Sequence, residues 1–354
     1  MDTSRTCPQS EEAQASSLLS PHTEAIRFYC GIGEQRWNRH PVAPGPYGCV
    51  SPVYGSASTA RQVNRVFVPQ GTRVLQDSGA FSDGPKERLS LQEALNRQEQ
   101  HAERFDYACC IEARASYDVL IDEMWSEDER GGTVRVKRRW SETEAALAVE
   151  ETVQAAKYLH AHRNGLPCIL SVQGVSSEQY QRCAQRILPY LCDGDLLGLG
   201  GWCITGKFPA QMMPVFRETM YRLIPFLSQE GIKRVHLWGV CYAPALGELL
   251  WLCDQHHIRL STDSMGPCVR PAHGRWGYAE WTDPTYQRVD ADRNHTVYVK
   301  GYDGSHVALQ EARGIHRAEH VRQVRAWLAA FRSTRHYPQT LPRYITQPRQ
   351  LSLL

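Results

Sequence analysis

The sequence lacks the marks of a membrane protein, a secreted protein and a dinucleotide-binding enzyme. No stretch approaches the roughly 18 consecutive apolar residues that a membrane-spanning helix needs. The first residues, MDTSRTCPQS, have no basic-then-apolar signal layout, and residues 1–24 are expected to form a mobile tail. No G-x-G-x-x-G motif follows the first strand-like run, which argues against dinucleotide binding. No association with a membrane is therefore expected.

Cysteine is present, but without a pattern of pairing. The chain has 12 cysteines, no C-x-x-C pair, and none after Cys268. Several lie inside apolar runs, among them Cys109, Cys110 and Cys168, where cysteine behaves as a small buried hydrophobe. We expect reduced thiols in a cytoplasmic protein rather than a disulfide framework.

Charge is balanced overall but not along the chain. The formal net charge is +2, yet residues 270–354 carry 13 Lys and Arg against 7 Asp and Glu, a net charge of +6. A basic C-terminal section favours a polyanionic partner. When charge is considered alone, a solvated helical face is the slightly favoured explanation.

The alternation of apolar runs with amphipathic segments predicts an α/β fold, a (β/α)8 TIM barrel. An open doubly wound sheet is the alternative. The 354 residues, 42% of them hydrophobic, suit one large barrel or two ordinary domains. The predicted strands are residues 26–31, 73–77, 106–112, 167–174, 195–201, 234–240 and 258–263, with 296–301 as a candidate eighth.

Helix signals lie between these runs. Ser90 with Glu93 and Ser141 with Glu144 form the S-x-x-E pattern of a capping box. The predicted helices are residues 90–105, 141–162, 177–191, 209–229 and 244–256. We expect the barrel to occupy residues 25–335, followed by a C-terminal tail over 336–354 that ends a basic extension.

One basic insertion, residues 124–140, lies between the third predicted strand and its helix. In a barrel this loop belongs to the catalytic face, where its Lys and Arg side chains could grip phosphates. A solvated hairpin around Gly131 and Gly132 explains the same residues equally well.

Residues at the carboxyl ends of barrel strands converge on one pocket. The predicted strand ends supply Asp77, Ser78, Phe81, Glu112, Gln173, Gly200, Gly201, Trp202, Trp238 and Asp263. Carboxylates and a carboxamide can bond the edge of a purine-like ring, aromatic side chains can stack on it, and glycine lets a backbone amide approach it. Two carboxylates then remain for displacement at a sugar carbon. His236 is interpreted as a structural histidine.

These motifs together resemble the tRNA-guanine transglycosylase superfamily. The resemblance spans roughly residues 70–275 and is carried by DSGAF at 77–81, SVQG at 171–174, GGW at 200–202, LWGV at 237–240 and the strand-end Asp263. It implies that Asp263 is the nucleophile and that Asp77 is the acid/base. The base-binding residues that it implies are Ser78, Phe81, Glu112, Gln173, Gly200, Gly201, Trp202 and Trp238.

Departures from the family pattern point to its divergent branch, the DpdA-like deazapurine DNA modification proteins. The tRNA enzymes have a zinc site of three cysteines and a histidine after the nucleophile, whereas no cysteine follows Cys268 here. Val175 also replaces a second glycine after the V-Q-G motif. The resemblance therefore implies DNA and a 7-deazaguanine base, such as 7-cyano-7-deazaguanine, as substrates.

Because the zinc ligands of the tRNA enzymes are missing, no metal is expected, and no cofactor is expected either. Helper proteins of a DNA modification system are candidate partners. Candidate phosphate contacts are Arg138, Arg139, Arg270 and Arg275. Three alternatives stay open: the same chemistry on tRNA or another RNA, a non-catalytic nucleic-acid-binding barrel, and a barrel enzyme that acts on a small glycoside.

Overall fold

Eight parallel strands close on one another in the computed structural model of this chain, so that β1 pairs with both β2 and β10. The structure describes residues 26–31, 47–53, 69, 71–83, 88–119, 121, 124–127, 133–136, 140–203, 205, 209–240, 242–264, 288–289, 298–300 and 306–308. The strands are β1 Ile26–Gly31, β2 Tyr47–Val50, β3 Arg73–Gln76, β4 Ile111–Ala115, β5 Met124–Glu127, β6 Thr133–Val136, β7 Cys168–Val172, β8 Leu196–Leu199, β9 Arg234–Leu237, β10 Arg259–Ser264, β11 Arg288–Val289, β12 Tyr298–Lys300 and β13 His306–Ala308.

The barrel strands follow in chain order as β1, β2, β3, β4, β7, β8, β9 and β10. The helices are α1 Ala80–Asp83, α2 Leu91–Arg104, α3 Glu142–Ala161, α4 Ser177–Ile187, α5 Pro209–Gln229 and α6 Ala243–Gln255. Short 3-10 turns occupy Ala108–Cys110 and Leu188–Tyr190. Because helices alternate with strands from β3 onward and the sheet is closed and parallel, the fold is a (β/α)8 barrel, as predicted.

Two apolar layers hold this arrangement together. Successive side chains of a strand point to opposite faces. Phe28 and Leu170 therefore pack outward in a cluster that contains buried residues of α3, α4, α5 and α6. Their neighbours Tyr29 and Ile169 pack inward, where a second cluster fills the barrel.

Both predicted capping boxes are confirmed. The Ser90 and Ser141 hydroxyls accept hydrogen bonds from the backbone N–H groups of Glu93 and Glu144, and each glutamate carboxylate accepts a hydrogen bond from the backbone N–H of its serine. These reciprocal bonds satisfy backbone donors that the first helical turn otherwise leaves open. They set the starts of α2 and α3.

Two predicted strands are corrected. The strand that brings the barrel to eight is β2, Tyr47–Val50, which was not predicted. The predicted candidate, near Tyr298–Lys300, instead belongs to a separate antiparallel sheet with β11 and β13. The third predicted strand begins at Ile111 rather than residue 106, because Ala108–Cys110 forms a 3-10 turn before it. The strand therefore begins five residues later than predicted and ends at Ala115 rather than residue 112.

The insertion of residues 124–140 contains an antiparallel hairpin in which β5 pairs with β6, between β4 and α3. None of the helices in the described ranges is long and apolar enough to cross a membrane.

Candidate active site

Asp77 lies at the carboxyl end of β3, immediately after Gln76. Its backbone N–H donates to the carbonyl oxygen of Val50 at 2.9 Å, which continues the pairing with β2 for one residue. Burial and then the negative charge of Asp263 raise the pKa of Asp77 from 3.8 to about 6, although the polar groups of the Ser51 side chain and the Ser78 backbone oppose the shift. A carboxyl group with this pKa can hold or release a proton near neutral pH.

Asp263 lies in β10 and is held by donors on one oxygen. Its Oδ1 accepts the backbone N–H of Gly239 at 2.7 Å, and Nε2 of His236 lies 3.2 Å from the same oxygen. Gly239 has φ of +67°, and a Cβ there would stand 2.6 Å from the Cys203 sulfur. Only glycine fits this turn, so the sequence at the end of β9 fixes the carboxylate of the next strand.

A third carboxylate, Asp118, belongs to the site and was missed by the sequence analysis. It follows β4 by three residues and accepts a hydrogen bond of 2.5 Å from Nε2 of Gln173. The Ile121 N–H donates to the other end of that carboxamide at 3.1 Å. Burial raises the pKa of Asp118, and its charge adds to the upward shift of the Asp77 pKa.

Glu112 was predicted at this mouth, and that prediction is wrong. Glu112 is the second residue of β4, at the amino end of the barrel. It is ion-paired with Arg27 and accepts a hydrogen bond of 2.8 Å from the Tyr29 hydroxyl. Arg73, the first residue of β3, lies 3.8 Å from the same carboxylate. Glu112 therefore serves an ion pair that closes the opposite end of the barrel.

Trp238 lies across the barrel interior. Its indole N–H donates to the Ser171 hydroxyl at 3.0 Å, and a Cβ on Gly198 would stand 2.4 Å from that nitrogen. Its ring meets the His236 ring edge-on, with centroids 4.3 Å apart. The partly buried indole thus forms the floor beneath the strand ends.

The predicted base contact of the Trp202 side chain is wrong. Trp202 is fully buried, stacked on Tyr180 and edge-on to Phe216, so its indole lies between the barrel and the helices. The two glycines before it do lie at the mouth. A Cβ on Gly200 would stand 2.9 Å from the Gln173 carboxamide carbon, and Gly201 has φ of +83°.

Hydrogen bonds from helix α2 hold the DSGAF turn, residues 77–81, in place. Arg97 donates to the Ser78 carbonyl oxygen at 2.8 Å and forms two bonds of 2.8 Å to the Asp83 carboxylate. The buried Ser78 hydroxyl accepts the Ala80 N–H at 3.3 Å. Phe81 is 51% exposed at the rim, where a side chain can meet a ligand.

The missed strand β2 brings Cys49 and Ser51 to the site. Cys49 is buried, and burial together with the charges of Asp263 and Asp77 raises the pKa of its thiol well above the usual value. A signal is available in the sequence, because a barrel needs eight strands and the run YGCV at 47–50 is an apolar segment between the first two predicted strands.

The remaining predicted contacts, Arg138, Arg139, Arg270 and Arg275, lie outside the described residues. Within the described part of the chain, no group of three or more His, Cys, Asp or Glu side chains is arranged to hold a metal ion.

The closed parallel barrel with three aspartates at its carboxyl mouth has the architecture of the (β/α)8 class. No family model matches this chain, and no curated protein matches it in sequence. A solved structure of a proposed fructose-1,6-biphosphate aldolase from Coccidioides immitis is similar with a TM-score of 0.38 and 10% identity, over 84% of this chain and 90% of that chain. A D-allulose 3-epimerase from Methylomonas sp. gives a TM-score of 0.36 and 12% identity, over 84% and 98%. Similarities this remote carry no argument about function, and the fold assignment rests on the strand pairing.

Proposed function

We propose that this chain is a base-exchange transglycosylase that replaces guanine in DNA with a 7-deazaguanine base. The observation that carries the proposal is the pair of strand-end aspartates with different environments. Asp77 is partly buried beside the charge of Asp263 and has a pKa of about 6, whereas Oδ1 of Asp263 accepts the Gly239 N–H and lies 3.2 Å from Nε2 of His236. One carboxyl group is thereby suited to move a proton and the other to act as a carboxylate.

In the first half-reaction, the Asp263 carboxylate attacks C1′ of the target nucleotide. The bond between C1′ and N9 of guanine breaks as a glycosyl ester forms on Asp263. The protonated Asp77 gives its proton to the departing guanine, which leaves as a neutral base.

In the second half-reaction, the incoming 7-deazaguanine loses its N9 proton to the Asp77 carboxylate. N9 attacks C1′, the ester bond to Asp263 breaks, and the carboxylate is regenerated. Asp77 ends with the proton that it started with, so the cycle needs no redox partner.

Asp118 and Gln173 would contact the edge of the base. Asp118 takes the place that the sequence analysis gave to Glu112, because it lies beside Asp77 and bonds the Gln173 carboxamide. A carboxylate accepts the N–H groups that guanine and 7-deazaguanine share. Trp238 beneath and Phe81 at the rim would enclose the two faces of the ring.

DNA is favoured over tRNA by the sequence beyond the barrel. That section lacks the cysteines that the tRNA enzymes use to bind zinc, while its net positive charge suits the backbone of either nucleic acid. The target nucleotide must leave the stack, or be single-stranded, before C1′ is open to attack. An RNA substrate is the second candidate, since the motifs themselves resemble tRNA enzymes.

The test is to express the chain in cells supplied with 7-cyano-7-deazaguanine, digest DNA and RNA separately, and analyse the nucleosides by mass spectrometry. We expect the deazapurine deoxynucleoside in DNA. Asp263→Asn should abolish it, while Asp193→Asn, an exposed surface aspartate, should not. Modified nucleosides in RNA alone would transfer the activity to RNA.

The covalent step has its own assay. Purified protein is mixed with a guanine-containing single-stranded oligonucleotide and quenched in acid. The protein is then digested, and the mass of the peptide that carries Asp263 is measured by mass spectrometry. A glycosyl adduct that is absent from Asp263→Asn supports the mechanism. If the native protein forms no adduct with either DNA or tRNA and modifies neither, the transglycosylase proposal is wrong.

A further inference from the structure

His236 makes a contact that a purely structural histidine does not need. It is completely buried in the barrel interior, and its two ring nitrogens are engaged by two residues of β10. Nδ1 lies 2.9 Å from the Ser261 hydroxyl, and Nε2 lies 3.2 Å from Oδ1 of Asp263. The imidazole, which lies on β9, therefore contacts both Ser261 and Asp263 on the neighbouring strand β10.

The Ser261 hydroxyl has one hydrogen and two candidate acceptors. It lies 3.1 Å from the Val235 carbonyl oxygen, to which it can donate, and 2.9 Å from Nδ1 of His236. When it donates to Val235, Nδ1 must carry a proton; when it donates to Nδ1, Nδ1 needs none. In either arrangement the N–H at Nε2 can donate to Oδ1 of Asp263. Rotation of the Ser261 hydroxyl therefore preserves both contacts of the ring, whether or not Nδ1 carries a proton.

We infer that His236 is a positioning residue for the proposed transfer reaction, holding Oδ1 of Asp263 and leaving Oδ2 as the attacking oxygen. The inference rests on the proposed function. Both donors, the Gly239 N–H and His236, engage Oδ1, so Oδ2 is free of both. Oδ1 then becomes the carbonyl oxygen of the glycosyl ester.

Donors on Oδ1 affect the two half-reactions unequally. They stabilise the free carboxylate, which makes it a weaker nucleophile but a better leaving group. His236 thus favours discharge of the ester, the step in which the carboxylate departs. The groups that surround this pair are Tyr29 of β1, Trp238, and Asp77 and Cys49 around Asp263.

The first test compares two substitutions. His236→Phe keeps an aromatic ring against Trp238 but removes the donor, and His236→Gln restores an N–H donor. With a single-stranded oligonucleotide and 7-cyano-7-deazaguanine, we expect His236→Phe to slow ester discharge about 10- to 100-fold. Ester formation should slow less, so that glycosyl-enzyme accumulates, and His236→Gln should recover most of the loss.

The second test does not depend on activity. In 15N-histidine NMR spectra, the signals lost in His236→Phe identify the residue among the 14 histidines. We expect a protonated Nε2 at both pH 5.5 and pH 8, and a changed Nε2 shift in Asp263→Asn.

The outcomes separate the two proposals. An inactive native protein whose His236 signals respond to Asp263→Asn would overturn the proposed function but keep the contact. An active protein in which His236→Phe and His236→Gln lose discharge equally, or in which ester discharge is unchanged, would overturn the inference about His236. An unprotonated Nε2 would also overturn it.

Discussion

At the scale of single residues, the site gives different properties to three side chains of the same type. Asp77 and Asp118 are partly buried, and this burial raises the pKa of each, while Asp263 receives the Gly239 N–H. The sequence predicted Asp77 and Asp263 because each lies at the end of a recognisable strand. It could not predict their different environments, which depend on residues from neighbouring strands.

The pKa of Asp77 predicts the pH dependence of ester formation. The group must be protonated to serve the departing guanine, and its protonated fraction falls as pH rises through about 6. The single-turnover rate should therefore fall by about tenfold per pH unit well above that value. Asp77→Asn should lower the rate at pH 6 by roughly 10²- to 10⁴-fold and flatten the profile. Rapid acid quench between pH 5 and 8.5 measures both, and a flat native profile would contradict the assignment.

The same shift predicts a gain in stability from the inactivating substitution. Because the folded-state pKa of Asp77 exceeds its usual value of 3.8, ionising the group costs the folded state free energy. That cost is absent below about pH 4 and is complete above about pH 6 to 7. Asp77→Asn should thus raise the free energy of unfolding at pH 7.5 by on the order of 2 kcal/mol, with little effect at pH 4. The free energy of unfolding is measured by urea titration at pH 4 and pH 7.5. Asp193→Asn, at an exposed position, is the control and should change it little at either pH.

At the scale of elements, α2 acts as a support for the turn that carries Asp77. Arg97 grips the Ser78 carbonyl oxygen and Asp83, and Gln98 donates to the Asp77 carbonyl oxygen at 3.1 Å. Gln98 also donates to the Ala115 carbonyl oxygen at 3.1 Å, which ties the ends of β3 and β4 together. The helix was predicted from its capping box and periodicity, whereas these contacts depend on tertiary packing.

Removing this support should lower both catalysis and stability. Arg97→Ala leaves the largely buried Asp83 without its bidentate partner and frees the turn. We expect base exchange to fall about tenfold and the free energy of unfolding to fall by about 1–2 kcal/mol. Arg104→Ala, an exposed position on the same helix, is the matched control. Equal activity in the two variants would show that the turn holds its shape without Arg97.

The errors made from the sequence were also errors about elements. The strand Tyr47–Val50 gives a weak signal because its four residues include a glycine and lie between Pro46 and Pro52. Glu112 was misplaced because a 3-10 turn and a strand share one apolar run, which shifted the strand end from Ala115. Trp202 lies three residues beyond the end of β8, where the alternation of side chains along a strand no longer holds. Its direction could therefore not be predicted from its position after the strand.

At the scale of the whole molecule, the two ends of the barrel have separate tasks. The amino end is closed by the cluster of Arg27, Tyr29, Arg73 and Glu112, and the carboxyl end holds the three aspartates. Barrels of this class place stability at the first end and chemistry at the second. Substitutions that remove one carboxylate at each end should therefore have opposite effects.

Glu112→Gln should lower the free energy of unfolding by about 1–3 kcal/mol, because Arg27 loses its ionic partner inside the barrel. Base exchange by the folded fraction should change less than about twofold.

Asp118→Asn should instead raise the Michaelis constant for the incoming base about tenfold, without a loss of stability at pH 7.5. Denaturation curves and exchange kinetics on both proteins test this, and the opposite pattern would restore Glu112 to the base site.

The thiol of Cys49 is buried beside Asp77 and Asp263, and its burial first, then their charges, keep it protonated. A thiol reacts with peroxides and alkylating agents through its thiolate form, so the interior position and the carboxylates of the site both disfavour the reactive form. The barrel interior thus gives this cysteine resistance to oxidative damage. Because burial is the larger cause, neutralising either aspartate would weaken that resistance only in part.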